Sequence, residues 1–228
     1  MLEHNNIVIF SPPRSGTKLL ANILENLGYF SHGEWFAPLT TKIENNKGVR
    51  RDIYLKEIWS TSERQFKNLN EHVHRLELYE KVHKSVVTIW PEYMLEFPFM
   101  LYKFADYHWA CIRRDPWQQM LSYYISSKND NFDGIKISKS VTFNEPAFRK
   151  MYWDYYKICG LQDWLIENQS ATLIDFEDLI HGKSTVLGHS YKVESKDEHA
   201  DLELLVENLD QVKTWYATFE NNRNNGQV

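Results

Sequence analysis

The stretch Ile7-Val8-Ile9-Phe10-Ser11-Pro12-Pro13-Arg14-Ser15-Gly16-Thr17-Lys18-Leu19-Leu20 decides how this chain is built. Four apolar β-forming residues run into a short Pro/Arg/Ser/Gly turn. Leu19, Leu20, Ile23, Leu24 and Leu27 then repeat at helical spacing. A strand that turns sharply into a helix aims several backbone N–H groups, and the positive end of the helix dipole, at one spot. Such a spot suits a phosphate, and Arg14 adds a fixed charge with a planar fork of donors. The turn is an anion cradle, and the rest of the chain has to say which anion.

Outward from this turn, strand and helix patterns alternate. Residues 6–10 read as a buried strand and 16–28 as the first helix, ended by Gly28. Residues 32–38 read as a loop and 52–69 as a helix. Val82–Ile89 and Tyr107–Ile112 read as further strands, the second followed by a helix opening at Pro116. Residues 128–141 read as a polar loop, Glu145–Glu167 as a long amphipathic helix and Ala171–Ile174 as a strand. Asp175–Ile180 opens another helix, 182–198 is irregular, Leu202–Phe219 reads as a closing helix, and 221–228 as a frayed tail. Alternation of this kind implies one α/β domain over residues 1–228, a central parallel sheet covered on both faces, with ligands at the carboxyl ends of the strands.

The bulk numbers narrow the classes. With 228 residues, 43% of them hydrophobic, the chain can bury one substantial core. Its 26 basic and 31 acidic residues give a net charge of −5, which argues against a nucleic-acid binder held by its overall field. A phosphate-bearing ligand must then be held by a local basic site. No stretch approaches the length of a membrane span and no secretory leader pattern opens the chain, so a soluble cytoplasmic protein with no membrane partner is expected. Cys111 and Cys159 sit in apolar surroundings and read as small core residues, with neither metal spacing nor a disulfide framework. Eight Trp and thirteen Tyr leave an aromatic surplus, part of which can line a cleft.

A nucleoside-triphosphate loop places a glycine five residues before a Gly-Lys pair and a Ser or Thr after the lysine, where the hydroxyl ligates magnesium. Here the first glycine is missing and Lys18 is followed by Leu19. That weighs against a nucleoside or metabolite kinase, the rival enzyme reading. The turn instead resembles the 5′-phosphosulfate loop of the sulfotransferases that use 3′-phosphoadenosine-5′-phosphosulfate (PAPS), whose motif reads Pro, then Arg or Lys, then Ser-Gly-Thr. A second segment, Trp109-Ala110-Cys111-Ile112-Arg113-Arg114-Asp115-Pro116-Trp117-Gln118-Gln119-Met120-Leu121-Ser122, is similar to the family's 3′-phosphate motif. It has the apolar strand, the Arg-Asp-Pro turn and a serine eight positions after the arginine. Leu173-Ile174-Asp175-Phe176-Glu177-Asp178-Leu179 is similar to the family's strand–Tyr-Glu-Asp-Leu–helix segment, with Phe176 in place of tyrosine. Where that position touches adenine, the change keeps stacking and loses a hydroxyl contact.

The resemblance implies a P-loop-like sulfotransferase fold, PAPS as co-substrate with 3′-phosphoadenosine-5′-phosphate (PAP) as product, and no metal. It assigns Arg14, Ser15, Gly16, Thr17, Lys18 and Leu19 to the 5′-phosphate and Arg114 with Ser122 to the 3′-phosphate. It puts Phe176 near the nucleotide and Lys192 over the 3′-phosphate. Glu34, in His32-Gly33-Glu34-Trp35-Phe36-Ala37-Pro38, resembles the glutamate of bacterial trehalose-type sulfotransferases and, more loosely, of tyrosylprotein sulfotransferases. It is the expected base, with a pKa raised by its aromatic neighbours. His32, His83 and His108 are the rival bases, and Lys84 a second cation at the transferring sulfonate. The acceptor is expected to be a hydroxyl, of a carbohydrate first and of tyrosine or another phenol next. A protein that binds PAP without chemistry is the non-enzymatic alternative.

Plainer roles fit the other polar residues. Arg113 reads as a solvated or salt-bridging neighbour, and Tyr152, Trp153, Tyr155 and Tyr156 as mainly helix packing, with room for one ring to face the acceptor. Glu177 and Asp178 complement a helix dipole, while His181, His189 and His199 have no ligand spacing.

Overall fold

The apolar runs that read as strands are buried on both sides. Ile7, Val8, Ile9 and Phe10 are all fully inaccessible, as are Val86, Val87, Ala110, Cys111 and Ile112. Unbroken burial of that kind marks a parallel sheet with helices on each face. The computed structural model describes residues 6–35, 84–89, 91, 94, 100–129, 139–183, 185–188, 190–191 and 201–226, with residues 32–35, 100 and 103 described by backbone alone. The reading of 52–69 as helix lies outside the described residues.

The five described strands are β1 (Asn6–Phe10), β2 (Phe30–Trp35), β3 (Ser85–Ile89), β4 (His108–Arg113) and β5 (Thr172–Asp175). They form one sheet in the order β2-β3-β1-β4-β5, every pair parallel. Helix α1 (Thr17–Asn26) follows β1, α2 (Pro116–Lys128) follows β4, and α3 (Glu145–Gln169) leads to β5, which passes directly into α4 (Phe176–His181). A short 3-10 turn, Leu202–Leu205, precedes the last helix, α5 (Leu209–Asn224).

Three of the expectations need correction. Residues 30–35 form the edge strand β2 instead of a loop from 32, with a register shift against β3 between Ser31 and Glu34. The closing helix is split: Val206 leaves the helical path to bridge Val141, and Glu207 N–H donates to the Val141 carbonyl at 3.0 Å. After this interruption α5 continues to Asn224, so residues 221–224 are helical where fraying was expected.

Alternate strand residues supply two cores. Ile7, Ile9, Val86, Ala110, Ile112 and Ile174 pack with Leu20, Ile23 and Leu24 of α1 and with Phe176 and Leu179 of α4. On the other face Val8, Phe10, Val87, Ile89, Trp109 and Cys111 pack with Ile158 and Leu165 of α3. A third cluster joins α2, α3 and α5 through Met120, Leu121, Tyr124, Phe148, Tyr152, Val212 and Phe219. Among the described residues no helix is long and apolar enough to cross a membrane.

The strand order fixes where a ligand can sit. The chain leaves β1 toward β2 on one side and leaves β4 toward β5 on the other, which opens a crevice above the carboxyl ends of β1 and β4. The Ser11–Gly16 turn and the Arg114-Asp115 turn both emerge at that crevice.

Candidate functional site

The Ser11–Gly16 turn is pinned from below and from the side. Ser11, 1% exposed, accepts the Ile112 N–H on its Oγ at 2.7 Å and so ties the start of the turn to β4. Gln119, buried on α2, donates its side-chain amide to the Pro13 carbonyl. Held this way, the backbone takes two left-handed residues, Arg14 at φ 66° and Gly16 at φ 88°. For arginine such a conformation costs on the order of 1–3 kcal/mol and persists only where neighbours enforce it.

Gly16 is the N-cap of α1, and no side chain caps the helix. In contrast, Asp115, Asn144 and Asp175 each cap the helix they precede, by accepting from Gln118, Ala147 and Asp178 N–H. The first-turn N–H groups of α1 are therefore donors with no intrahelical acceptor, and no acidic residue lies among them. Lys18 in that turn is exposed, Thr17 and Leu19 are half-buried, and Ser15 is fully buried.

Arg113 and Arg114 are neighbours in sequence with opposite environments. Arg113 is paired within the protein: Nε donates to Gln162 Oε1 at 3.0 Å, and Nη2 to the Cys159 carbonyl at 2.8 Å and to Asp163 at 2.6 Å. It is the salt-bridging neighbour that the sequence suggested. Arg114 turns to the other side, over the Phe176 ring at 4.6 Å, with Nη1 3.4 Å from the Arg14 carbonyl oxygen. Its Nε is buried without a hydrogen-bond partner, as is Ser15 Oγ. Burial pulls the Arg114 guanidinium below its ordinary pKa, Glu177 opposes that shift and Arg14 adds to it. A guanidinium stays charged through such a shift.

Ser122, 4% exposed on α2, closes the cluster by accepting from Arg14 Nε at 3.2 Å. The fold thus brings together Arg14, Ser15, Gly16, Arg114, Ser122 and Phe176, with Thr17, Lys18 and Leu19 in the helix turn above them. Two cationic forks, two serine hydroxyls and a helix N-terminus converge there, an arrangement with the donors to bind a multiply charged anion.

Other candidates lie elsewhere. Lys84 immediately precedes β3 at the amino end of the sheet, where Ser85 pairs with Asn6, while the turn follows Phe10, paired with Ile89. Five residues of strand separate the two ends by about 16 Å. Lys84 sits near the Tyr29 ring at 5.8 Å, and its assignment to the transferring sulfonate is withdrawn. His108 is at the same far end, 2.8 Å from Thr172 Oγ1, which removes it as a base. Glu34 has its backbone opposite Thr88, toward the carboxyl end of the sheet and two strands from β1, a lateral offset of about 10 Å. The Glu34 and His32 side chains, His83 and Lys192 lie outside the described residues.

Three supporting residues carried no sequence signal as site residues. Gln119 holds the turn, and Tyr155 donates its hydroxyl to the Arg114 carbonyl at 2.9 Å. Gln162, fully buried on α3, donates to the Phe10 and Ile112 carbonyls at 3.0 and 3.1 Å and so bridges β1 to β4 just below the crevice. Each lies on a helix whose apolar pattern advertises packing alone. No protein-family model matches this chain, and no curated protein matches it.

Proposed function

We propose that the chain is a PAPS-dependent sulfotransferase that moves the sulfuryl group of PAPS to a hydroxyl acceptor, a carbohydrate first and a tyrosine or other phenol next. One observation carries the reading. Arg14 and Ser122, from two phosphate-type motifs 108 residues apart, are joined by a hydrogen bond beside Arg114. A phosphate turn alone would suit many anions. A second basic motif folded against it suits a ligand with phosphates at two positions.

The donor set fits such a ligand. Arg114 Nε and Ser15 Oγ, one in each motif, are buried polar atoms without partners, and buried groups of that kind normally have one. In the proposed reaction the acceptor oxygen forms a bond to sulfur as the bond from sulfur to the 5′-phosphate oxygen breaks. The 5′-phosphate leaves with the electron pair, and Arg14 with the N–H groups of Ser15 to Leu19 neutralises its growing charge. Glu34 takes the acceptor proton. Arg114 and Ser122 hold the 3′-phosphate, with Lys192 assigned to it as a further cation. The scheme draws on no metal.

Calorimetry with PAP tests the reading directly. The wild type is expected to bind PAP, and magnesium–ATP is expected not to compete. Absence of PAP binding overturns the proposal, and magnesium-dependent ATP binding at the same turn would turn it toward a kinase. Glu34→Gln is expected to keep PAP affinity and lose transfer across an acceptor panel. Normal PAP binding with no transfer by the wild type would indicate a PAP-binding protein without chemistry.

A further inference from the structure

We infer that Phe176 is a positioning residue of the anion site, setting the plane of the Arg114 guanidinium and the path of the Gly16 turn rather than offering a face to adenine. Three observations converge on its ring. Asp175 caps α4 by accepting the Asp178 N–H at 3.0 Å, and Phe176, the first residue of that helix, is only 7% exposed. The guanidinium of Arg114 lies 4.6 Å from the ring centroid. From the side of the turn, a Cβ built on Gly16 would fall 2.7 and 2.8 Å from the ring's Cδ2 and Cε2 atoms.

The ring is therefore enclosed between the two motifs that make the site, and little of it remains to meet a base. Its contact with Arg114 has a particular consequence. Hydrogen-bond acceptors would fix a guanidinium by occupying its donors, as they do at Nε and Nη2 of Arg113. An aromatic face fixes the plane and spends none of them. Arg114 is thus oriented while its Nε remains buried and unpartnered. The same enclosure explains why position 16 takes glycine twice over, once for its φ of 88° and once for the ring beside it. The phenyl group suffices for both contacts, so a tyrosine hydroxyl is not required by this role.

That the anion is a nucleotide rests on the reading above; the placement of Arg114 does not. The test therefore has two arms on the full chain. The arginine Nε–H signals are followed by nitrogen–proton NMR, with Arg114→Lys identifying the Arg114 resonance, and PAP affinity is measured by calorimetry. Phe176→Leu keeps an apolar side chain but removes the π face. It is expected to abolish the ring-current shift of the Arg114 Nε–H and to weaken PAP binding by about three- to tenfold. Phe176→Tyr is expected to restore both. Val87→Ala, in the core on the opposite face of the sheet, is expected to lower thermal stability and leave both readouts unchanged. An Arg114 signal unmoved by Phe176→Leu overturns the proposal, as does an affinity that follows stability in all three variants. A wild type that binds no PAP would remove the nucleotide reading, while the NMR arm would still decide whether Phe176 sets Arg114.

Discussion

Two arginine clusters in this molecule are built from similar parts and end in opposite states. Between α3 and α5, Arg223 donates to Glu220 at 2.8 Å and to the Tyr152 hydroxyl at 3.2 Å, and its guanidinium lies 4.1 Å from the Tyr156 ring. Glu220 in turn accepts both tyrosine hydroxyls at 2.7 Å. Bonds to Glu220 raise the Arg223 pKa, whereas burial lowers that of Arg114. In the first cluster every partner is protein, and it clasps two helices. In the second, a strained turn, an uncapped helix and a buried unpaired Nε leave bonding capacity for something else. The physical difference between the two networks is how much of the bonding capacity is met inside the protein.

This contrast can be broken in several ways, beginning with the largest effect. Gly16→Ala forces a side chain into the Phe176 ring at a left-handed position, so PAP binding is expected to disappear in calorimetry and the melting temperature to fall. Arg114→Ala removes charge-assisted bonds and is expected to weaken PAP about a hundredfold, with the melting temperature nearly unchanged. A large loss of stability there would make Arg114 another structural clasp.

Glu220→Ala should do the reverse. It strands two tyrosine hydroxyls and Arg223, so chemical denaturation is expected to show a loss of about 2–3 kcal/mol while PAP affinity is kept. The clasp should also be sensitive to acid. Burial works to raise the Glu220 pKa, but the bonds from Tyr156, Arg223 and Tyr152 outweigh it and hold it below the ordinary 4.5. A depressed carboxyl contributes stability that is fully present above the unfolded value and is lost as the pH falls through the folded one. Denaturation midpoints of the wild type should therefore drop below pH 4.5 more steeply than those of Glu220→Gln. Smallest of all is the expected response of Cys111. Burial pushes its thiol up to about 12, so alkylating reagents at neutral pH should leave it unmodified in the folded protein.

The sequence disclosed what periodicity and turn chemistry encode. Alternating strands and helices were legible because apolar runs and Pro/Gly punctuation are local signals, and the Arg14 and Arg114 turns because each sits at a strand end. What escaped depends on tertiary placement. Residues 30–35 contain Gly33 and polar Ser31 and His32, a poor strand by propensity, yet they pair along the edge of β3. Lys84 reads as a second cation at the transferring sulfonate, and only the register of β1 against β3 reveals which end of the sheet it occupies. Gln162 is one polar residue on an amphipathic helix until the fold sets it beneath two carbonyls.

Gln162 also has a bearing on the order of events during synthesis. Its bond to the Phe10 carbonyl spans 152 residues, and the Ser11 bond to Ile112 spans 101. The first strand and its turn are made early, but the supports that shape them are made late. Contacts of such long separation come at a high cost in chain entropy and form slowly. The anion binding proposed for this turn would then be gained by the growing chain only after α3 has emerged and docked. Ligand capture can serve as a clock for the last long-range step of folding.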